Sequence, residues 1–192
     1  MKKSLKPAPL LAPVPPVLVS CGTMEKNNIL TIGWTGIINT HPPMTYISVR
    51  PERYSYEIIK NSGEFVINLP TKKLVFATDF CGVRSGSDID KFSALNLTAQ
   101  PSTKIAAPMI AESPLSMECV VKDRIHLGSH DMFLAEIVAV NIEESAFNKN
   151  GKIDFLKCEL IAYVHGEYYT FGNKLGYFGF SVNKKKKSKK RR

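Results

Sequence analysis

The chain has 192 residues, of which 44% are hydrophobic and 22% are charged, as is typical of one globular domain with a sizeable core. Its net charge of +9 is concentrated at one end: eight of the 26 basic residues lie in residues 184–192, leaving 18 against 17 acidic residues elsewhere. The body is therefore near neutral, which argues against a nucleic-acid-binding surface built into the domain.

The two ends of the chain differ in composition from the body. Residues 1–16 are rich in proline and are predicted to run extended along the surface. A domain is predicted over residues 17–182, beginning with a strand at residues 17–21. Residues 183–192 are predicted to be a disordered basic tail, which serves either solubility alone or the binding of an acidic partner.

A second strand is predicted over residues 29–35, and it contains Trp34, the only tryptophan. Gly33 and Gly36 stand on either side of this ring. Because glycine weakens a strand, the pattern indicates a bulge or the close approach of another group. Two interpretations remain open, namely a bulged core tryptophan and a ligand that lies against the backbone of residues 33–36.

An alternating pattern predicts a half-buried strand over Met44–Val49, followed by a short helix over residues 54–61. Arg50 and Arg53 precede this helix, and Ser55 lies in its first turn. A hydroxyl group and unpaired N–H groups at a helix start can bind an anion. The three residues are thus either an anion-binding cluster or ordinary solvated surface.

Residues 81–92, which follow a strand at 64–69 and a helix from Pro70, carry the most informative pattern. Small residues let backbone N–H groups converge on an anion, while hydroxyl groups and cations add hydrogen bonds and charge. Asp90 is predicted to cap a short helix that starts near Lys91. The segment is either a phosphate-binding loop or an exposed surface loop. The residues concerned are Gly82, Arg84, Ser85, Gly86, Ser87 and Lys91.

Long strands rich in β-branched residues are predicted over residues 116–124, 130–140 and 157–164. An irregular segment over residues 168–180, with glycines between aromatic residues, is predicted to close the domain. Strands outnumber helices and long crossover segments are few. The sequence therefore predicts an antiparallel β-barrel.

The cysteines are too widely separated to form a C-x-x-C pair, so reduced thiols are expected and no metal site is predicted. No apolar run reaches membrane-spanning length, and three prolines interrupt the apolar run of residues 10–19. We therefore predict a cytoplasmic protein without membrane contact. The cysteines are Cys21, Cys81, Cys119 and Cys158.

Five segments in this order resemble the flavin reductase-like, FMN-binding split-barrel proteins, in particular the flavoredoxin type. They are residues 28–36 (NILTIGWTG), 48–55, 63–68 (GEFVIN), 85–92 and 130–133 (HDMF). The resemblance covers roughly residues 15–180. It implies an all-β fold with minor α content, built as an antiparallel Greek-key split barrel. It also implies a homodimer with one FMN per subunit.

The resemblance also implies which residues contact FMN. The strand at residues 31–36 and the strand end at 48–50 are expected to follow the flavin ring and the ribityl chain. The residues expected to hold the phosphate are Arg50, Ser55, Ser85, Gly86 and Lys91. His130 is expected to be catalytic, beside the reactive face of the ring. The expected cofactor-binding residues are Thr31, Gly33, Trp34, Thr35, Gly36, Ser48, Val49, Arg50, Tyr54, Ser55, Cys81, Ser85, Gly86, Lys91 and Phe92.

Two functions remain open from the sequence. The first is an oxidoreductase that takes electrons from NAD(P)H or a protein donor and passes them to flavin, ferric complexes or a partner redox protein. The second is an FMN electron carrier without NAD(P)H oxidase activity of its own. Hydride transfer to a flavin requires neither a nucleophile nor an acid–base pair in the protein. The absence of a G-x-G-x-x-G motif and of a P-loop argues against a Rossmann domain.

Overall fold

The computed structural model describes residues 1–182, and the predicted tail over residues 183–192 lies outside them. Strands predominate, as the sequence predicts. In chain order the elements are β1 (Val17–Gly22), β2 (Asn27–Ile32), β3 (Thr35–Asn39), β4 (Met44–Val49), α1 (Tyr54–Ser62), β5 (Glu64–Asn68), a 3₁₀ turn (Lys72–Leu74), α2 (Val75–Val83), α3 (Lys91–Ala94), β6 (Ala99–Gln100), β7 (Met109–Ile110), β8 (Leu115–His126), β9 (Asp131–Ile142), a 3₁₀ turn (Glu144–Ala146), β10 (Ile161–Val164) and β11 (Glu167–Thr170).

Seven strands form one curled, fully antiparallel sheet in the order β2-β1-β5-β8-β9-β4-β3, which confirms the predicted antiparallel architecture. The edge strands β2 and β3 are consecutive in sequence. The two residues Gly33 and Trp34 connect them, so the sheet must curl until its two edges lie side by side. The sheet is therefore half of a barrel whose open side lies beside residues 33–34.

The prediction of one strand over residues 29–35 was wrong. The chain bends at Gly33 and Trp34, so that β2 ends one edge of the sheet and β3 begins the opposite edge. Periodicity could not show this break, because the residues on both sides of the bend favour extended backbone. The bend leaves the indole of Trp34 46% exposed, so the ring is not the bulged core residue that one interpretation proposed.

Three apolar clusters lie in the described part of the chain, and the two largest hold the sheet and the helices together. The larger one fills the concave side of the sheet and includes Val19, Ile47, Phe65 and Phe133, with α1 packed over it through Ile59. Burying such side chains contributes about 1.5–3 kcal/mol each. Helix α1 ends at Gly63, whose backbone has the left-handed conformation that glycine favours.

The smaller cluster packs α2 and α3 on the outer side of β1 and β2, through Leu18, Ile29, Leu74 and Phe92. Leu18 lies between Val17 and Val19, which belong to the larger cluster, and this alternation shows β1 buried on both faces. The helices therefore lie against the sheet edge beside the open side of the half-barrel.

Helix α2 is longer than the sequence indicated, because residues 81–83 form its last turn rather than the start of a loop. Gly82 is helical here and does not turn the backbone. Its role is close packing, since a Cβ atom at this position would lie 3.4 Å from the Cβ of Thr31 on β2. The predicted cap of α3 is confirmed, because the Asp90 carboxylate accepts the backbone N–H of Ser93 at 3.1 Å.

The strand predicted over residues 157–164 is shorter in the structure, where β10 covers only Ile161–Val164. Turns precede it, and Glu159 has a φ of +48°, which interrupts extended backbone. Strands β10 and β11 form a separate hairpin, which is attached to the N-terminal segment through paired backbone hydrogen bonds between Val14 and Tyr163.

None of the helices within residues 1–182 is both long and apolar enough to cross a membrane. The cytoplasmic location stays a prediction.

Candidate functional site

Two adjoining cavities open at the gap in the half-barrel, and they share a wall made by Leu30, Arg50 and Arg53. The large cavity has a volume of about 350 Å³ and the cationic cavity a volume of about 180 Å³. The large cavity is lined by Pro16, Leu30, Thr31, Ile32, Gly33, Trp34, Ser48, Val49, Arg50, Arg53, Asp79, Gly82, Val83, His130, Tyr163 and Tyr168. The cationic cavity is lined by Asn28, Leu30, Arg50, Glu52, Arg53, Tyr54, Ser55, Arg84, Ser85, Gly86 and Lys91.

One wall of the large cavity joins α2 to the β10–β11 hairpin. The Tyr168 hydroxyl donates to a carboxylate oxygen of Asp79 at 3.3 Å, and its ring lies 5.3 Å from that of Tyr163. Burial, together with the negative charge of Asp79, raises the pKa of Tyr168 to about 12. The phenol therefore remains a neutral hydrogen-bond donor at neutral pH.

The opposite wall carries an aromatic pair, Trp34 and His130, whose ring centroids lie 4.5 Å apart with an interplanar angle of 37°. Nδ1 of His130 also shares a hydrogen bond with the hydroxyl of Ser129, at 2.9 Å. Partial burial, and then the positive charge of Arg50, lowers the pKa of His130 below its ordinary value of 6.5. The imidazole is consequently neutral at pH 7, with one nitrogen able to accept a proton.

The Trp34–His130 contact predicts a pH-dependent fluorescence signal. Protonated imidazole quenches indole emission more strongly than neutral imidazole, so Trp34 emission should fall as the pH drops. Because the pKa of His130 is lowered, the midpoint should lie below 6.5. His130→Gln should remove the transition, and His41→Gln, which changes a histidine in a turn outside the β8–β9 hairpin, should retain it. A midpoint at or above 6.5, or a transition that survives in His130→Gln, would contradict this assignment.

The cationic cavity contains four basic side chains and one acidic side chain, Glu52. Glu52 pairs with Arg50, at 3.3 Å. Within residues 1–182, Arg53 and Arg84 form no ion pair with any acidic residue. The cavity therefore has an excess of positive charge, and a concave surface of this kind attracts and binds anions.

Lys91 occupies the floor of the cationic cavity and is only 3% exposed. Its ammonium group donates to the carbonyl of Ile29 at 2.7 Å and to the carbonyl of Cys81 at 3.0 Å. Since an ammonium group has three donors, one remains for a group in the cavity. Burial lowers the pKa of Lys91. The side chain thus joins β2 to α2 and points a fixed charge towards the cavity.

A hydrogen bond between two buried polar residues shapes the other side of the cationic cavity. The Asn28 amide donates to the hydroxyl of Ser55 at 2.7 Å, which connects β2 to the first turn of α1. The backbone of Gly86 approaches so closely that a Cβ atom there would lie 2.2 Å from Oδ1 of Asn28. Glycine is therefore required at position 86 for loop 84–90 to close the cavity.

Twelve of the residues predicted from the sequence line one of the two cavities. They are Thr31, Gly33, Trp34, Ser48, Val49, Arg50, Tyr54, Ser55, Ser85, Gly86, Lys91 and His130. The structure thus brings together residues from four separated segments of the chain. Their roles towards a cofactor stay predictions.

Four predicted residues line neither cavity. Thr35 donates its hydroxyl to the carbonyl of Tyr46 at 2.6 Å, and Gly36 lies against the ring of the same tyrosine. Both belong to β3, which the bend carries away from the cavities. Cys81 and Phe92 belong to the smaller apolar cluster. Burial raises the pKa of Cys81 to about 11, as expected of an unreactive buried thiol rather than a redox-active one.

Several cavity residues were missing from the predicted set. Asp79 and Val83 lie on one face of α2, and this spacing became visible only when the helix was known to extend to residue 83. Tyr163 and Tyr168 lie more than 100 residues from β2 and reach the cavity through the folding of the hairpin. Gly82, Arg53 and Arg84 belonged to the predicted anion-binding patterns but not to the expected FMN contacts, whereas Asn28 carried no distinctive pattern of its own.

The comparison with protein families is decisive. Residues 11–172 match the family model described as flavin reductase like domain. The chain belongs to this family. The match spans most of the described residues and both cavities, and it confirms the resemblance found in the sequence. Family membership supports a flavin-related redox protein.

Solved structures of this flavin reductase-like family agree with the assignment. The flavoredoxin of Desulfovibrio vulgaris (Miyazaki F) is 32% identical with a TM-score of 0.88, over 95% of this chain and 100% of that one. The flavoredoxin from Methanosarcina acetivorans is 28% identical with a TM-score of 0.83, over the same shares. An uncharacterized protein of Pyrococcus abyssi is 30% identical, over 86% of this chain and 95% of its own length.

Proposed function

We propose that the protein binds FMN across the two cavities and uses it in a redox reaction. The observation that supports this best is the junction of a cationic cavity with a larger one that has aromatic walls. FMN carries a phosphate dianion at one end and a flat ring at the other, and the two cavities match these chemistries in the same order. The likeness to two flavoredoxins supports the same ligand.

In this proposal the residues of the cationic cavity hold the phosphate. Arg53 and Arg84 supply charges that no acidic residue within residues 1–182 neutralises, and Lys91 supplies the remaining donor described above. The hydroxyl groups of Ser55 and Ser85 add neutral donors. Charge-assisted hydrogen bonds of this kind are worth about 1.5–3 kcal/mol each.

The large cavity then holds the ring. Gly33 lets the backbone of the β2 end approach a flat group closely, and Trp34 with His130 forms one wall. When bound, the flavin accepts a hydride or single electrons from a donor. A neutral His130 beside the opening can orient an electron donor through a hydrogen bond, so we assign it a catalytic role.

We further propose that the protein is an oxidoreductase with NAD(P)H as co-substrate. A large cavity that stays open to solvent beside His130 favours a small diffusible donor. The alternative is an electron carrier that receives electrons from a partner redox protein at the same opening. Turnover of NADH or NADPH in the presence of FMN distinguishes the two, since a carrier retains FMN without consuming either coenzyme.

The visible spectrum tests the cofactor directly. The protein as purified, or after addition of FMN, should absorb near 450 nm, roughly as free flavin does, and lose this band with dithionite. Titration with FMN should also quench Trp34 emission, because the indole lies in the wall of the large cavity. A colourless protein whose Trp34 emission does not respond to FMN would refute the proposed function.

We also propose a homodimer in which the second copy covers the outer face of α2. Phe76 and Val83 are each 71% exposed there, Phe80 stacks on Phe76 with centroids 6.1 Å apart, and Val83 lies at the large cavity. Exposed apolar patches of this kind commonly mark an interface.

The homodimer predicts that Phe76→Ser shifts the sedimentation velocity of the protein towards that of a monomer. The replacement removes apolar surface from an interface without disturbing the buried residues of α2. Phe155→Ser, which changes a 49% exposed phenylalanine in a different segment, is the control and should leave the dimer intact. A wild-type protein that sediments as a monomer would contradict the proposal.

A further inference from the structure

A network of ion pairs and hydrogen bonds surrounds Asp131, the residue that follows His130, and its basic members Arg124 and His126 are exposed. The Asp131 carboxylate is 3% exposed and lines neither cavity. It accepts a hydrogen bond from the Tyr56 hydroxyl at 2.5 Å and lies 3.3 Å from the Arg124 guanidinium. Its other oxygen lies 2.7 Å from Nδ1 of His126. Arg124 also donates to the Tyr56 hydroxyl, at 2.5 Å.

The partners of Asp131 come from two other elements. Tyr56 belongs to α1 and is itself buried, while Arg124 and His126 belong to β8. The hydrogen bond from Tyr56, followed by that from His126, lowers the pKa of Asp131. The carboxylate is therefore ionised at neutral pH, and a buried ionised carboxylate holds its partners firmly because each of them satisfies part of its charge and hydrogen bonding.

The network lies at the base of the hairpin tip that carries His130. Asp131 is the first residue of β9 and pairs with His126, the last residue of β8. The tip between them is closed by one backbone hydrogen bond, from Leu127 to His130, at 2.9 Å. The side chain of Leu127 is exposed, so the tip itself contributes little apolar packing. The position of His130 therefore depends on how the base of the hairpin is anchored.

We propose that Asp131 is a positioning residue, which anchors the hairpin base to α1 and thereby holds His130 against Trp34 at the opening of the large cavity. Tyr56 supplies the rigid end of this anchor, because its ring packs edge-on against Phe133 in the larger apolar cluster, with centroids 5.5 Å apart. The consequence for turnover rests on the proposed function, whereas the placement of His130 does not.

The fluorescence emission of Trp34 tests the placement of His130, because the two rings are in contact. Asp131→Asn keeps the shape of the side chain but removes its charge and one acceptor oxygen. In the full-length protein without added flavin, we expect the pH-dependent change in emission to fall at least threefold in this variant. Tyr56→Phe should give an intermediate loss. Glu136→Gln, the same chemical change in the Lys122 ion pair elsewhere on β9, should match wild type.

Two outcomes would overturn the proposal. One is a pH-dependent change in Trp34 emission that is as large in Asp131→Asn as in wild type. The other is a loss of this change in Glu136→Gln that equals the loss in Asp131→Asn. If Asp131→Asn does not fold, Tyr56→Phe decides the matter, and an unchanged amplitude in that variant overturns the proposal as well.

Flavin measurements on the same variants separate this proposal from the proposed function. We expect Asp131→Asn to change the Kd for FMN less than threefold and to lower turnover with the active coenzyme about tenfold. If wild-type protein binds no FMN, the proposed function fails while the emission result still decides the role of Asp131. If FMN binds and turnover is unchanged despite a lost emission response, the catalytic importance of His130 placement is refuted.

Discussion

Lys91→Met should weaken FMN binding about 100-fold, the largest effect expected of any single replacement in the cationic cavity. The variant loses a charge-assisted hydrogen bond worth about 1.5–3 kcal/mol, which corresponds to roughly ten- to more than a hundredfold in affinity. It also leaves the carbonyls of Ile29 and Cys81 without the Lys91 donor, a smaller structural effect that riboflavin binding would report. Both effects act in the same direction.

Riboflavin distinguishes a phosphate contact from a general loss of structure, because it has the flavin ring but no phosphate. Its affinity should change less than threefold in Lys91→Met, and fluorescence titration measures both ligands in the same way. Lys60→Met is the matched control, since this lysine pairs with Glu57 on the exposed face of α1 and should leave both affinities unchanged. Equal losses for FMN and riboflavin would show that Lys91 acts only through the fold.

Glu118→Gln should lower the free energy of unfolding by about 3 kcal/mol. The Glu118 carboxylate is fully buried on β8 and accepts four hydrogen bonds of 2.7 Å each, from the backbone N–H and hydroxyl of Thr103, the backbone N–H of Lys104 and the amide of Asn141. Glutamine has one acceptor oxygen, so its amide N–H₂ would face a donor. Urea denaturation at pH 7 measures the difference.

The loss of stability in Glu118→Gln should depend on pH, because the ionised Glu118 carboxylate is the form that accepts these hydrogen bonds. Burial opposes ionisation of Glu118, but the hydrogen bonds from Thr103 and Lys104 outweigh it and lower the pKa of the carboxyl group. A lowered pKa stabilises the folded protein at neutral pH, and this stabilisation is lost as the pH falls through the folded-state pKa. The stability difference between wild type and Glu118→Gln should therefore shrink in acid.

Glu136→Gln is again the control, because its ion pair with Lys122 is partly exposed and such pairs contribute about 0.2–1 kcal/mol. Since Glu118 lines neither cavity, FMN affinity should be unchanged in Glu118→Gln at temperatures where the protein is folded. A stability change below about 0.5 kcal/mol would mean that water or loop movement replaces the lost acceptor.

The strands and the short helices were largely predictable because their signals are local. The side chains of Met44–Val49 alternate in burial with period two, α1 ends at Gly63, and Asp90 caps α3. Each of these signals lies within a few residues of the element that it defines. The segments that resemble the flavin reductase family were local in the same sense. They supplied most of the residues that we propose to hold the phosphate, and the strand that we propose to follow the ring, before any tertiary contact was known.

Tertiary structure decided which residues of those segments reach the cavities. The bend at Gly33 and Trp34 sends β2 and β3 to opposite edges of the sheet, and so removes Thr35 and Gly36 from the cavities. The added turn of α2 places Cys81 in the smaller apolar cluster, and packing of the helix beside the half-barrel puts Asp79 in a cavity wall.

The sequence by itself therefore determined the strand-rich fold, the family and the chemistry of the anion-binding residues, since each depends on side-chain type and short-range spacing. Only the tertiary structure decided which side chains share a cavity, that Lys91 is buried between two carbonyls, and that Asp131 anchors the hairpin of His130. These contacts join residues between 10 and 75 positions apart, and they form through sheet curvature and helix packing, which no local pattern encodes.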